Sequence, residues 1–235
     1  MRFTFWLAIG LTFCLAVGEG QTDAGLSGTV VSDVRDSSLP IETVHVELHK
    51  HGDQTVQVAA TDEAGRFNFA KLLSGWYDLK LEAPPGGFEP RLLEVKGIEV
   101  RSGEQKELPT LHLSITWMCQ PPTARSQITI LSTASAPKVT GIVDERNGSA
   151  LSGVRVLLRS YADLQHPASV TTDADGHYEF RNVAPGKYTI STQAPGLYYQ
   201  GFDIYVYQGF DVVMPNFRTE RCETLDCVRP FGLCS

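Results

Sequence analysis

Apolar and polar residues alternate along this chain in short runs. In residues 44–49, Val44, Val46 and Leu48 fall on one side of an extended backbone and His45, Glu47 and His49 on the other, because successive side chains of a strand point to opposite faces. Residues 76–81 repeat the pattern, with Tyr77, Leu79 and Leu81 on the apolar side and Trp76, Asp78 and Lys80 on the polar side. Gly, Pro, Asp and Asn break the runs, and helical periodicity is absent from them. The pattern predicts an all-β protein of half-buried strands, about seven to each half of the chain, packed as antiparallel sheets face to face.

The series of runs occurs twice, in the same order and at a nearly constant displacement. Leu26-Ser27-Gly28-Thr29-Val30-Val31 answers to Val139-Thr140-Gly141-Ile142-Val143, and Val44-His45-Val46-Glu47-Leu48 to Val154-Arg155-Val156-Leu157-Leu158. Thr61-Asp62-Glu63-Ala64-Gly65-Arg66-Phe67 answers to Thr172-Asp173-Ala174-Asp175-Gly176-His177-Tyr178, and Gly75-Trp76-Tyr77 to Gly186-Lys187-Tyr188. A repeat of this length means a duplicated structural unit. We therefore expect two sandwiches, 24–113 and 138–217, each closed around an apolar core. Asp62 to Gly65 and Asp173 to Gly176 read as hairpin turns, the glycine supplying positive φ and the acid capping its own turn. Asp173, Asp175 and Gly176 also open like a calcium loop, but no glutamate closes it. Residues 114–137, with Pro121-Pro122, read as a linker in which 127–131 could still form a strand.

Composition narrows the setting. The 235 residues carry a formal net charge of -7, which opposes the positive field that nucleic acid or an anionic membrane surface would require. Residues 1–20 combine Arg2, an apolar run and Ala16-Val17-Gly18, the pattern of a cleaved signal peptide. The expected location is secreted or periplasmic, with no membrane insertion after cleavage. Cys119, Cys222, Cys227 and Cys234 remain, an even number in an oxidising compartment, and read as two disulfides that tie a tail, 218–235, with the pairing open. Their spacing misses the tight knuckle of a zinc site.

The glycine strand at 139–143, then Leu151-Ser152-Gly153-Val154-Arg155-Val156, then Thr172-Asp173, Gly176, Tyr178, Phe180, Val183, Gly186, Tyr188 and Ile190, resemble the carboxypeptidase regulatory-like domain. The resemblance covers 139–217 well and 26–113 more loosely. It implies a Greek-key sandwich of transthyretin-like type, overlapping the starch-binding-like and Cna B-type domains, and a folding, spacing or recognition role on exported proteins. The residues it fixes are turn glycines and core aromatics, which specify fold and not function.

Candidate chemistry is sparse. The H-x-x-E pair of metallocarboxypeptidases is absent, as are H-E-x-x-H, G-x-S-x-G and a phosphate-binding glycine loop. No catalytic residue and no cofactor is expected. His45, Glu47, His49 and His51 could share a strand face and hold a divalent metal, though copy two carries Arg155, Leu157 and Arg159 there. Trp76, Tyr198, Tyr199, Tyr205 and Tyr207 could present flat rings to a sugar or a protein, or cover the seam between the copies. Cna B-type domains form an internal Lys-Asn isopeptide bond, and Lys138, Glu179 and Asn216 are the residues available for one. The expected function is a non-catalytic exported module that binds, spaces or scaffolds, with a protein or carbohydrate ligand; the alternative is a carbohydrate-binding accessory protein.

Overall fold

The computed structural model describes residues 23–34, 37–84, 88–89, 92–115, 127–145, 147–193 and 201–219. Copy one contains β1 (Ala24–Val34), β2 (Ser37–Pro40), β3 (His45–Lys50), β4 (Val56–Ala60), β5 (Arg66–Leu72), β6 (Gly75–Glu82), β7 (Phe88–Glu89), β8 (Leu92–Val100), β9 (Gln105–Glu107) and β10 (Leu111–Ile115). After β11 (Gln127–Ser132), copy two contains β12 (Val139–Glu145), β13 (Arg155–Ser160), β14 (Ala168–Thr171), β15 (His177–Phe180), β16 (Gly186–Gln193), β17 (Gly201–Val206), β18 (Phe210–Val213) and β19 (Phe217–Thr219). Among the described residues every regular element is a strand.

Each copy is a sandwich of two layers. In copy one, β1 carries β5, β9, β2 and β10, and the facing layer runs β4-β3-β6-β8. In copy two, β12 carries β15, β18 and β19 opposite β14-β13-β16-β17. Most neighbours are antiparallel. The closing pairs are parallel, β1 with β9 and β10 and β12 with β18 and β19, because the chain returns to its first strand in the direction in which it left.

The repeated residues have repeated physical jobs. The Thr61 hydroxyl accepts from the Val44 amide at 2.9 Å and donates to the Ile41 carbonyl at 2.7 Å. Thr172 makes the same pair of bonds with Val154 and Leu151. Asp62 Oδ1 accepts from the amides of Ala64 and Arg66, and Asp173 Oδ1 from those of Asp175 and His177, so each acid caps its own turn. Gly65 and Gly176 sit at φ +71 and +75, and a Cβ on either would collide with the carbonyl oxygen of Val30 or Val143. A side chain is excluded there by both backbone angle and space. Across β1 and β5 the Phe67 ring covers Gly28, and across β12 and β15 the Tyr178 ring covers Gly141. The aromatic fills the space that a glycine leaves in the strand.

Alternation holds where the sequence places it. Val44, Val46, Leu48, Tyr77, Leu79 and Leu81 are buried, while Trp76 on the opposite face is 51% exposed. The expectation of two separate cores needs correction. Buried apolar side chains of both copies form one contiguous cluster that includes Ile128 and Ile130. The cause is β11, which pairs in parallel with β8 of copy one and antiparallel with β18 of copy two. It completes a nine-stranded sheet that runs through both copies, and its inward isoleucines fill the space between them.

Candidate functional site

Two regions concentrate polar and aromatic side chains. The first is the outer face of the layer β4-β3-β6-β8. Because β3 alternates, His45, Glu47 and His49 do share a face, and Lys80 of β6 lies in register with Glu47. His45 Nε2 is 3.1 Å and His49 Nε2 3.4 Å from the two Glu47 carboxylate oxygens, and the Lys80 ammonium donates to the same group at 3.4 Å. The hydrogen bond from His45, with lesser help from His49 and Lys80, holds the Glu47 carboxyl below its usual range against the effect of burial. His51 turns away and meets Asp78 at 2.8 Å. The imidazoles thus close on carboxylates, a cation joins them, and among the described residues no group of three or more His, Cys, Asp or Glu is arranged to hold a metal ion. Trp76 stands free on this face, in register with Glu99 of β8.

The second region lies between the copies, and the sequence did not single out most of its members. In β10, Leu111 and Leu113 point into copy one, so His112 points out of it, toward copy two. There its ring stacks on Tyr205 with centroids 3.7 Å apart and planes within 12°. The Tyr207 hydroxyl accepts from the His112 amide at 3.0 Å. Asp33 of β1 lies 3.3 Å from His112 Nδ1, accepts from the Ser38 hydroxyl at 2.7 Å and meets the Lys187 ammonium of copy two at 3.5 Å. Lys187 in turn lies over the Tyr161 ring at 4.6 Å, within the range of a cation–π contact. Tyr161 donates to Asp203 at 2.9 Å, as does Thr189. Burial raises the Asp33 carboxyl, but Ser38, His112 and Lys187 together outweigh it and leave it below the usual range. Burial holds His112 below an ordinary imidazole, with Asp33 opposing.

Tyr207 is buried, at 8% exposure, and Tyr205 is half-buried against His112, so neither is a free stacking platform; both belong to the seam. Trp76 keeps the exposure that a stacking role needs. Tyr198 and Tyr199, the four cysteines Cys119, Cys222, Cys227 and Cys234, and the leader all lie outside the described residues. The isopeptide trio is not brought together: Lys138 faces Glu179 at 3.9 Å, whereas Asn216 donates to the buried Asp144 at 2.8 Å. The Asp173 carboxylate is engaged by its own turn. Residues 33, 112 and 187 are far apart in sequence, and the one signal for them was that His112 lies on the polar side of an alternating strand.

Comparison with known proteins agrees with the duplication. The carboxypeptidase regulatory-like domain matches residues 25–114 and again 138–219. The chain is 27% identical over 168 residues to serine-aspartate repeat-containing protein F of Staphylococcus epidermidis, covering 69% of this chain and 9% of that protein. It is 25% identical over 169 residues to serine-aspartate repeat-containing protein D of Staphylococcus aureus strain Newman, covering 67% and 12%. It spans about a tenth of the length of these curated relatives. Among solved structures, a minor pilin of Streptococcus agalactiae aligns over 86% of this chain and 97% of its own, at 15% identity and a TM-score of 0.30. The two matched stretches cover every described strand except β11, short by one residue at the start of β1 and at the end of β10, and the chain belongs to the carboxypeptidase regulatory-like domain family, in two tandem copies.

Proposed function

We propose that this chain is a non-catalytic module that acts outside the cytoplasm, where it binds a protein partner and holds it at a fixed spacing. The observation that carries the reading is β11. A strand hydrogen-bonded to both copies, with Ile128 and Ile130 in their joint core, converts two small sandwiches into one plate. Domains move relative to one another by default unless the contact between them is large and apolar. The outer face of that plate carries His45, Glu47, His49, Lys80 and the exposed Trp76, a polar surface with one large ring of the kind that anchors protein contacts. Membership of a family named for an accessory domain supports a role other than catalysis. Export rests on the sequence of residues 1–20. That the chain matches a short part of two long relatives supports its being a module that such proteins use in combination.

A carbohydrate ligand is the second reading, favoured by Trp76 alone. The two separate in one experiment. A photoreactive residue in place of Trp76 is expected to trap a protein from the extracellular fraction, and the same group at exposed Leu164 in copy two is not. Titration with soluble glycans is expected to give no heat and no shift in unfolding temperature. Trapping that does not depend on position, or a glycan-dependent rise in unfolding temperature that Trp76→Ala abolishes, would reverse the order of the two readings.

A further inference from the structure

Among the described residues the sheet ends at β4, and this edge is built unlike most of the others. Unpaired strand edges invite pairing with another chain, and proteins blunt them with charge, proline or a bulge. Edge strand β2 ends in Pro40; β5 carries Arg66 and Lys71, β7 Glu89, β9 Lys106 and Glu107, β15 His177 and Glu179, and β17 Asp203. Among the described residues, β4 and the shorter β14 are the edge strands with neither a charged residue nor a proline. In β4 the sequence is Val-Gln-Val-Ala-Ala, with Val56 41% and Val58 60% exposed.

The backbone of β4 is also aimed outward at defined residues. Thr61 donates its amide to Val44 at 3.1 Å, and its carbonyl accepts from the Thr43 amide at 3.0 Å, so both of its backbone groups face β3. Backbone groups alternate along a strand. Ala60, Val58 and Val56 therefore present their amides and carbonyls to the open side. A second β4, related by a two-fold axis through Val58, would set Val58 opposite itself, Val56 opposite Ala60 and Gln57 opposite Ala59. Every facing pair is free of like charge, and the exposed valines of the two strands cover one another. An isologous contact requires this self-complementarity.

We propose that β4 is the contact through which two copies of this chain pair antiparallel, joining their sheets edge to edge about Val58. In a hydrogen-bonded antiparallel pair the opposed Cα atoms stand about 5.5 Å apart, inside the range that a disulfide spans. Val58→Cys is therefore expected to give a disulfide-linked dimer under mild oxidation, in excess of the wild-type control, and Val56→Cys is not, since it would face Ala60. In sedimentation velocity the wild-type chain is expected to move from monomer to dimer with rising concentration, and Val58→Lys, which sets two ammonium groups face to face, to weaken that association at least tenfold. Val58 is on the surface, so these variants keep the fold, which circular dichroism checks. A wild-type chain that stays monomeric up to about 0.1 mM, or equal cross-linking of the two cysteine variants, overturns the proposal.

Discussion

Phe67 and Tyr178 occupy the same position in the two copies, each laid over a strand glycine, and they differ by a hydroxyl. The Tyr178 hydroxyl is buried without a hydrogen-bond partner among the described residues, and burial pushes its ionisation far above the usual tyrosine range. A buried polar group without a partner costs about 1–3 kcal/mol. Tyr178→Phe, which copies the arrangement in the first half of the molecule, is expected to leave stability unchanged or raise it by about 1 kcal/mol. Phe67→Tyr is expected to lower it by about 1–3 kcal/mol. Urea unfolding followed by fluorescence measures both, and a Tyr178→Phe variant clearly less stable than wild type would mean that the hydroxyl has a partner. The reciprocal pair tests a general point: the repeat is conserved in shape, and the polar atom on the ring is incidental to it.

At the scale of elements, β11 decides how the copies relate. Ile130 is 1% exposed and sits where the two cores meet. Ile130→Ala is expected to cost about 2–4 kcal/mol and to split one cooperative thermal transition into two, because the plate would lose its central filler while each sandwich kept its own. Calorimetry checks this; a single transition shifted to lower temperature would place the damage inside one copy. The strands themselves were legible in the sequence because a face buried on one side writes its period into the residues, as at Val44, Val46 and Leu48. The turns were legible because Asp62, Gly65, Asp173 and Gly176 answer to local backbone needs. The possibility of a strand at 127–131 could be read from Ile128 and Ile130, but its two partners could not: pairing of β11 with β8 and β18 depends on which edges are left open once the sandwiches have closed. The outer face of copy one was legible for the same periodic reason. The seam was not, since Asp33, His112 and Lys187 meet only in the folded chain and none sits in a motif.

At the scale of the whole molecule, the seam makes the union of the copies sensitive to acid. His112 faces Asp33 from β1, Lys187 from β16, and Tyr205 and Tyr207 from the segment after it. Its ionisation is lowered in the folded state, so the unfolded chain binds more protons near and below an imidazole's ordinary value of about 6.5. Stability from this group is complete above that value and falls as the pH drops through it toward the folded value. Asp33, also lowered, adds a second loss below the ordinary carboxylate range. The unfolding temperature is therefore expected to drop between pH 7 and pH 5 by more in wild type than in His112→Gln, where the imidazole is gone. Parallel curves for the two proteins would remove His112 from the account.

The strand shared by both copies also determines where the molecule can be divided. A fragment that starts at residue 138 retains all of the second family match yet leaves the flank of β18 bare, whereas one that starts at 127 carries its own cover. The family boundary and the sheet boundary differ here by one strand, so a fragment cut at the family boundary is expected to be less stable than one that keeps residues 127–137.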